Sequence, residues 1–299
     1  MNPKTLLDLV AERPVLLDGG LGTELMRLGL TQGVIPEVWN LERPEAVKSI
    51  HESYFAAGSD AVSTNSFGAN RIKLRSHGLE GRVGDLNEAA ARIAREAAPA
   101  GKFVGGSLGP TGKFLAPQGE FSAVEFEDVF AEQAGVLAAG GVDFLIIETQ
   151  YDLAEALTAL RGARRVSSLP VFVTMTFNKF PRGYFTLMGN SVSQCAETLE
   201  RAGAAGVGVN CTLNSEEITG AVRLFREATR LPVIAQANAG KPQIDPKGLV
   251  TYAQSVEEYI RFVPGILDAG ANILGGCCGT DPATIAGMAG VLRGRRQRD

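Results

Sequence analysis

Asp143-Phe144-Leu145-Ile146-Ile147-Glu148-Thr149 is a run of four consecutive apolar residues that closes on a carboxylate. A strand with one wet face alternates apolar and polar residues, so an unbroken run this short marks a strand buried on both faces, as in a parallel sheet covered by helices. Working outward in both directions, similar runs occur at 14–18, 60–65, 102–106, 170–176, 205–211, 232–238 and 271–277. Between them lie stretches with apolar residues at helical spacing: 45–57, 87–97, 124–139, 153–166, 192–201, 216–229 and 256–269. Several end at glycine (Gly58, Gly140, Gly203, Gly270), the residue that most readily takes the left-handed turn closing a helix. Eight strand–helix units in 299 residues predict the α/β class, as a (β/α)8 TIM barrel forming a single domain over residues 1–299. The competing topology is a doubly wound open sheet, but no Gly-x-Gly-x-x-Gly follows the first run as a dinucleotide site would require.

Composition narrows the function. Apolar residues make up 45% of the chain and charged residues 21%, which suits a folded domain with a large core. The net charge of −4 with interspersed signs argues against nucleic acid as a partner, and the basic segment 293–298 reads as a solvated end. No apolar run approaches a membrane span and no secretory signal opens the chain, so a cytoplasmic protein without membrane contact is expected. The four cysteines, in a chain with a core this large, point to thiol or metal chemistry rather than a disulfide framework.

In such a barrel, chemistry is built on the face formed by the C-terminal strand ends. Those ends carry Asp18, Asn65, Ser107, Glu148, Asn210, Cys211, Asn238, Cys277 and Cys278. Cys195 falls inside the helical pattern 192–201 and reads as packing. Cys277 and Cys278 are adjacent, and a regular strand would send one of them outward. The flanking Gly275, Gly276 and Gly279 would allow the bend that brings both sulfurs to the mouth.

Three thiolates suit a tetrahedral Zn2+ with its fourth position open, and soft sulfur ligands favour zinc over magnesium or manganese. Cys211, Cys277 and Cys278 are the candidate ligands, because His51 lies in a helical stretch and His77 in a loop. A dithiol redox pair and plain packing are the alternatives. Three thiolates leave zinc with a formal charge of −1, so the site is better suited to presenting a thiolate for alkylation than to making hydroxide.

The stretches 17–25, 64–70, 107–112, 147–149, 209–211, 237–242 and 275–280 resemble the homocysteine S-methyltransferase family in order and content. That family includes the homocysteine-binding barrel of cobalamin-dependent methionine synthase and betaine-homocysteine methyltransferase. The resemblance implies a zinc-dependent S-methyltransferase that binds homocysteine as a zinc-bound thiolate and methylates it to methionine. It implies zinc on Cys211, Cys277 and Cys278, with Asn238 on the metal while substrate is absent; a hydrogen bond closing the strand-seven turn is the alternative role for Asn238. It also implies that Asp18 and Glu148 accept the substrate α-ammonium group, acid/base catalysis being the rival role for the pair. Asn65, Ser107 and Asn210 are candidates for holding the substrate carboxylate or polarising the sulfurs, or for capping turns.

The methyl donor stays open among S-methylmethionine, S-adenosylmethionine, betaine and a methylated corrinoid. No Asp-x-His-x-x-Gly corrinoid-ligand motif is present, so a corrinoid donor would come on a separate protein. Segments 178–191 and 241–255 are expected as loops at the entrance, and Phe177, Phe180, Tyr184, Phe185 and Tyr252 are candidates for an aromatic cage. Two readings compete with methyl transfer. One is a phosphate-binding lyase or isomerase using the glycine-rich ends of strands seven and eight, and the other is a non-catalytic barrel stabilised by zinc.

Overall fold

The computed structural model describes residues 4–31, 33–244 and 250–296. Eight parallel strands form its centre: β1 Val15–Leu16, β2 Ala61–Ser63, β3 Phe103–Leu108, β4 Phe144–Gln150, β5 Val171–Met175, β6 Gly206–Asn214, β7 Val233–Asn238 and β8 Ile273–Gly276. Each follows the next in the sheet, and β8 pairs back onto β1 through Val15↔Ile273 and Leu16↔Leu274. All eight apolar runs are therefore strands of one barrel, and the open-sheet alternative is excluded.

The helices that return the chain are α1 Pro44–Ala57, α2 Val83–Ala97, α3 Ala123–Ala139, α4 Leu153–Val166, α5 Val192–Arg201, α6 Ile218–Ala228, α7 Val256–Asp268 and α8 Pro282–Arg296. The expected glycine stop is explicit after α1, where Gly58 has φ of 113° and caps the helix. Helix α2 begins four residues earlier than its apolar spacing suggests, at Val83 instead of residue 87.

Strand alternation splits the core in two. Val15, Leu17, Ala61, Phe103, Phe144, Ile146, Phe172, Ile234 and Ile273 fill the barrel interior. Leu16, Val62, Val104, Leu145, Ile147, Val173, Val207, Val209, Val233, Ala235 and Leu274 face the helices. A short helix, Leu6–Glu12, presses Leu6 and Val10 onto the interior cluster and so joins its packing. Its Thr5–Asp8 capping box fixes where it starts.

β1 and β2 share no ladder, and a backbone bond together with side chains closes the gap between them. Asp60 N–H donates to Leu16 O at 2.6 Å, while the Asp60 carboxylate accepts from Leu16 N–H at 3.1 Å. Arg13 grips the same carboxylate through two bonds of 2.6 and 2.8 Å. Ser63 N–H donates to Asp18 Oδ2 at 2.8 Å, so this seam also fixes a rim carboxylate. Among the described residues no helix is long and apolar enough to cross a membrane.

Candidate metal centre

The interior positions of β8 are Ile273 and Gly275 by alternation, and Cys277, the residue after the strand, continues that side into the mouth. Cys278 is carried there by a turn. Cys277 N–H donates to Ala237 O at 2.8 Å, Thr280 N–H to Cys277 O at 3.1 Å, and Cys278 N–H to Asn238 Oδ1 at 3.1 Å. The glycines serve this turn. A Cβ on Gly276 would lie 2.1 Å from Thr280 Oγ1, and Gly279, at φ of 82°, carries the ring of Tyr252 where its own Cβ would be. These positions are filled by the protein's own side chains and leave no open cradle for a phosphate.

Alternation alone would turn Cys211 toward the helices, because Val207 and Val209 on β6 face that way. The strand instead breaks register between Asn210 and Asn214, with Cys211 at φ of 61° and Thr212 at 60°. Left-handed backbone at non-glycine residues costs on the order of 1–3 kcal/mol each and persists where the surroundings hold it. Here Thr212 Oγ1 bonds Thr176 Oγ1 at 2.7 Å. The result is that the sulfurs of Cys211, Cys277 and Cys278 lie within 4.8 Å of one another. Cys211 Sγ and Cys277 Sγ each stand 4.0 Å from Cys278 Sγ. Three ligands at 2.3 Å in tetrahedral array would have sulfurs about 3.8 Å apart, so the spacing fits zinc.

Charge within the trio is uneven. Cys211 is pulled down to about 3 by hydrogen bonds from Cys277 and then Cys278, while those bonds push Cys277 well above the usual thiol range. Cys278 rises to about 11 through its bond to Cys211. A divalent cation held by the three sulfurs would favour the deprotonated form of all of them. Cys195 is buried on α5, pushed up to about 12 by burial, and takes no part.

A second register break, in β4 between Ile147 and Gln150, places Thr149 at φ of 60° and sets Glu148 at the mouth. Asn210 holds this bulge. Its Oδ1 accepts from Thr149 N–H at 2.8 Å and Thr174 Oγ1 at 2.9 Å, and its Nδ2 donates to Thr149 Oγ1 at 2.7 Å. Longer contacts link the same Nδ2 to Glu148 Oε2 at 3.5 Å and Cys277 Sγ at 4.0 Å. Ser107 Oγ donates to Glu148 Oε1 at 2.5 Å. Burial holds Glu148 up at about 7, helped by the Cys211 charge, and holds Asp18 up at about 8, helped by Glu148.

The expected residues thus divide. Cys211, Cys277, Cys278, Asn238, Glu148, Ser107 and Asn210 form one connected cluster, and Asp18 joins it through the field of Glu148 on its carboxyl. Asn65 does not: both its donor bonds go elsewhere, to Pro36 O at 2.8 Å and Asn40 Oδ1 at 2.9 Å, so it braces the loop after β1. The five candidate aromatics make no cage. Phe177 is core, edge-on to Phe225, and Tyr184 donates to Glu217 O, whereas Phe180 and Phe185 lie on a hairpin after β5. Only Tyr252 of the five, on a hairpin after β7, comes close to the trio, its ring lying against Gly279 next to Cys278. Segment 241–255 includes residues 245–249, outside the described residues. Thr149, Thr174 and Thr280 are site-building residues that composition and spacing do not reveal, while Tyr252, expected in an aromatic cage, packs against Gly279 instead.

A family model described as homocysteine S-methyltransferase matches residues 15–292. Methionine synthase of Mycobacterium tuberculosis is 32% identical over 98% of this chain and 26% of its own length. Methionine synthase of Mycobacterium leprae is 31% identical over 96% of this chain and 25% of its own length. The chain spans about a quarter of the length of these curated relatives. The crystal structure of the homocysteine methyltransferase MmuM from Escherichia coli, metallated form, superposes with a TM-score of 0.80 at 24% identity, covering 97% of this chain and 100% of that one. That likeness speaks for the fold.

Proposed function

Because the chain belongs to the homocysteine S-methyltransferase family, we propose that it methylates homocysteine to methionine at a zinc ion held by Cys211, Cys277 and Cys278. The observation that carries this is the convergence of three sulfurs at zinc spacing on the catalytic face of a barrel. When bound, the metal would keep a substrate thiol deprotonated at neutral pH while leaving it nucleophilic.

The remaining roles belong to the chain. Asp18 and Glu148 hold the substrate's α-ammonium group, which relieves the repulsion between two buried carboxylates. Ser107 and Asn210 orient Glu148 instead of gripping substrate. Asn238 Oδ1, already accepting from Cys278 N–H, keeps a second lone pair for the metal in the resting state. Methyl transfer to a thiolate moves no proton at the sulfur, so a general acid or base is not needed.

Methionine formation from homocysteine, assayed in parallel with S-methylmethionine, S-adenosylmethionine, betaine and methylcobalamin, tests the reading. Turnover with none of them, free or protein-bound, would end it. A separate corrinoid protein as donor is the second reading. Exposed Phe67, Phe180, Leu187 and Met188, on the loops after β2 and β5, favour it by offering apolar surface beside the mouth.

Proton linkage gives a further expected result. Methionine has the same ammonium and carboxylate but no ionisable sulfur. Its affinity should rise from about pH 6 to about pH 8, as Glu148 and Asp18, held at about 7 and about 8, take on charge. Calorimetry across that range should show proton release on binding, and a flat profile would remove the pair from ammonium recognition.

A further inference from the structure

Gln236 lies on β7, which the sheet order places between β1, whose end leads to Asp18, and β4, which carries Glu148. Ile234 belongs to the interior cluster while Val233, Ala235 and Ala237 face the helices, so alternation directs the Gln236 side chain into the barrel. It is level with Asn210 on β6 and with Gly275 on β8. A Cβ on Gly275 would meet Gln236 Cγ at 3.0 Å and Asp18 O at 3.1 Å, so glycine there lets the glutamine approach the Asp18 strand end. On its other side, Asn210 reaches Glu148. Gln236 is 4% exposed, and its Oε1 is buried with no hydrogen-bond partner. A buried amide oxygen without a donor is uncommon in folded proteins and calls for one.

Resting on the homocysteine reading above, we propose that Gln236 Oε1 is the third acceptor for the substrate's α-ammonium group, completing a cage with Asp18 and Glu148. An ammonium group carries three N–H donors, and two carboxylates placed on separate strands answer two of them. A third carboxylate would add to the like-charge repulsion of the empty site, whereas an amide offers the lone pair without the charge. The neutral acceptor also fixes rotation of the ammonium about its C–N bond. That holds the amino-acid head in one orientation while the sulfur sits at the cysteines.

The test compares three thiols on the zinc-loaded protein by calorimetry: homocysteine, 4-mercaptobutanoate, which lacks the amino group, and N-methylhomocysteine, which has one N–H fewer. Q236L is expected to bind homocysteine about 10- to 100-fold more weakly, the range for losing a hydrogen bond to a charged group, and to bind 4-mercaptobutanoate as the wild type does. The wild type is expected to bind N-methylhomocysteine about 10-fold or more weakly than homocysteine, which needs no variant to fold. Equal weakening of both thiols in Q236L would make the residue structural and overturn the proposal. So would a wild type that takes N-methylhomocysteine as tightly as homocysteine. A wild type that binds none of the three thiols would overturn the homocysteine reading as well.

Discussion

C277S is expected to lose its metal and, with it, methyl transfer. Cys277 is the sulfur that follows β8 into the mouth, and it is one of three that lie within 4.8 Å of one another. Loss of an outer partner of a metal ligand typically costs about 10- to 100-fold in affinity, so loss of a ligand should cost roughly 1,000-fold or more. A serine hydroxyl does not repair this, since at neutral pH it stays protonated and is a harder donor than a thiolate. C211S and C278S should behave alike, because each removes one corner of the same set. C195A is the control: that sulfur is buried on α5, and the variant should retain full metal content even where its melting temperature falls. Metal analysis after exhaustive dialysis checks all four, and C277S with stoichiometric zinc would be incompatible with the assignment.

The second large effect concerns Glu148, where binding and stability should move in opposite directions. Burial raises its carboxyl to about 7, so the folded protein holds that proton more tightly than the unfolded chain does. The stability this contributes is complete below the ordinary carboxylate value and lost as pH rises through about 7. At pH 8 the substrate-free protein therefore carries a costly anion that waits for its cation. E148Q removes the anion and keeps an acceptor for Ser107 Oγ. Its melting temperature at pH 8 should exceed that of the wild type, the exchange of stability for function common at active sites. The KM for homocysteine should rise about 30- to 5,000-fold, since losing one partner of a buried charge pair costs about 2–5 kcal/mol. Because the ammonium lies away from the sulfur, kcat should change only a few-fold. Steady-state kinetics and a thermal melt decide both halves, and an unchanged KM would take Glu148 out of substrate recognition.

The barrel was legible because parallel strands covered on both faces are written as unbroken apolar runs, as in 143–149. Adjacent Cys277 and Cys278 among glycines likewise announced a bend at the mouth, and the turn at Gly279 supplies it. The kinks that aim Cys211 and Glu148 were not legible. Threonine at positive φ, as at Thr149 and Thr212, has no sequence signature, since its β-branched side chain disfavours that backbone and only tertiary hydrogen bonds hold it there. Asn65 and Asn210 look equivalent as strand-end amides. Their partners come from segments 25 to 61 positions away, and these make one a loop brace and the other a support for the bulge that carries Glu148. The short helix Leu6–Glu12 and the hairpin strands after β5 and β7 span too few residues to show a period.

Zinc K-edge absorption of the metal-loaded protein, recorded before and after adding homocysteine, tests the central claim most directly. The account predicts three sulfur ligands and one lighter oxygen or nitrogen donor at rest, becoming four sulfurs with substrate. A coordination shell unchanged by homocysteine, or one with fewer than three sulfurs at rest, would contradict it.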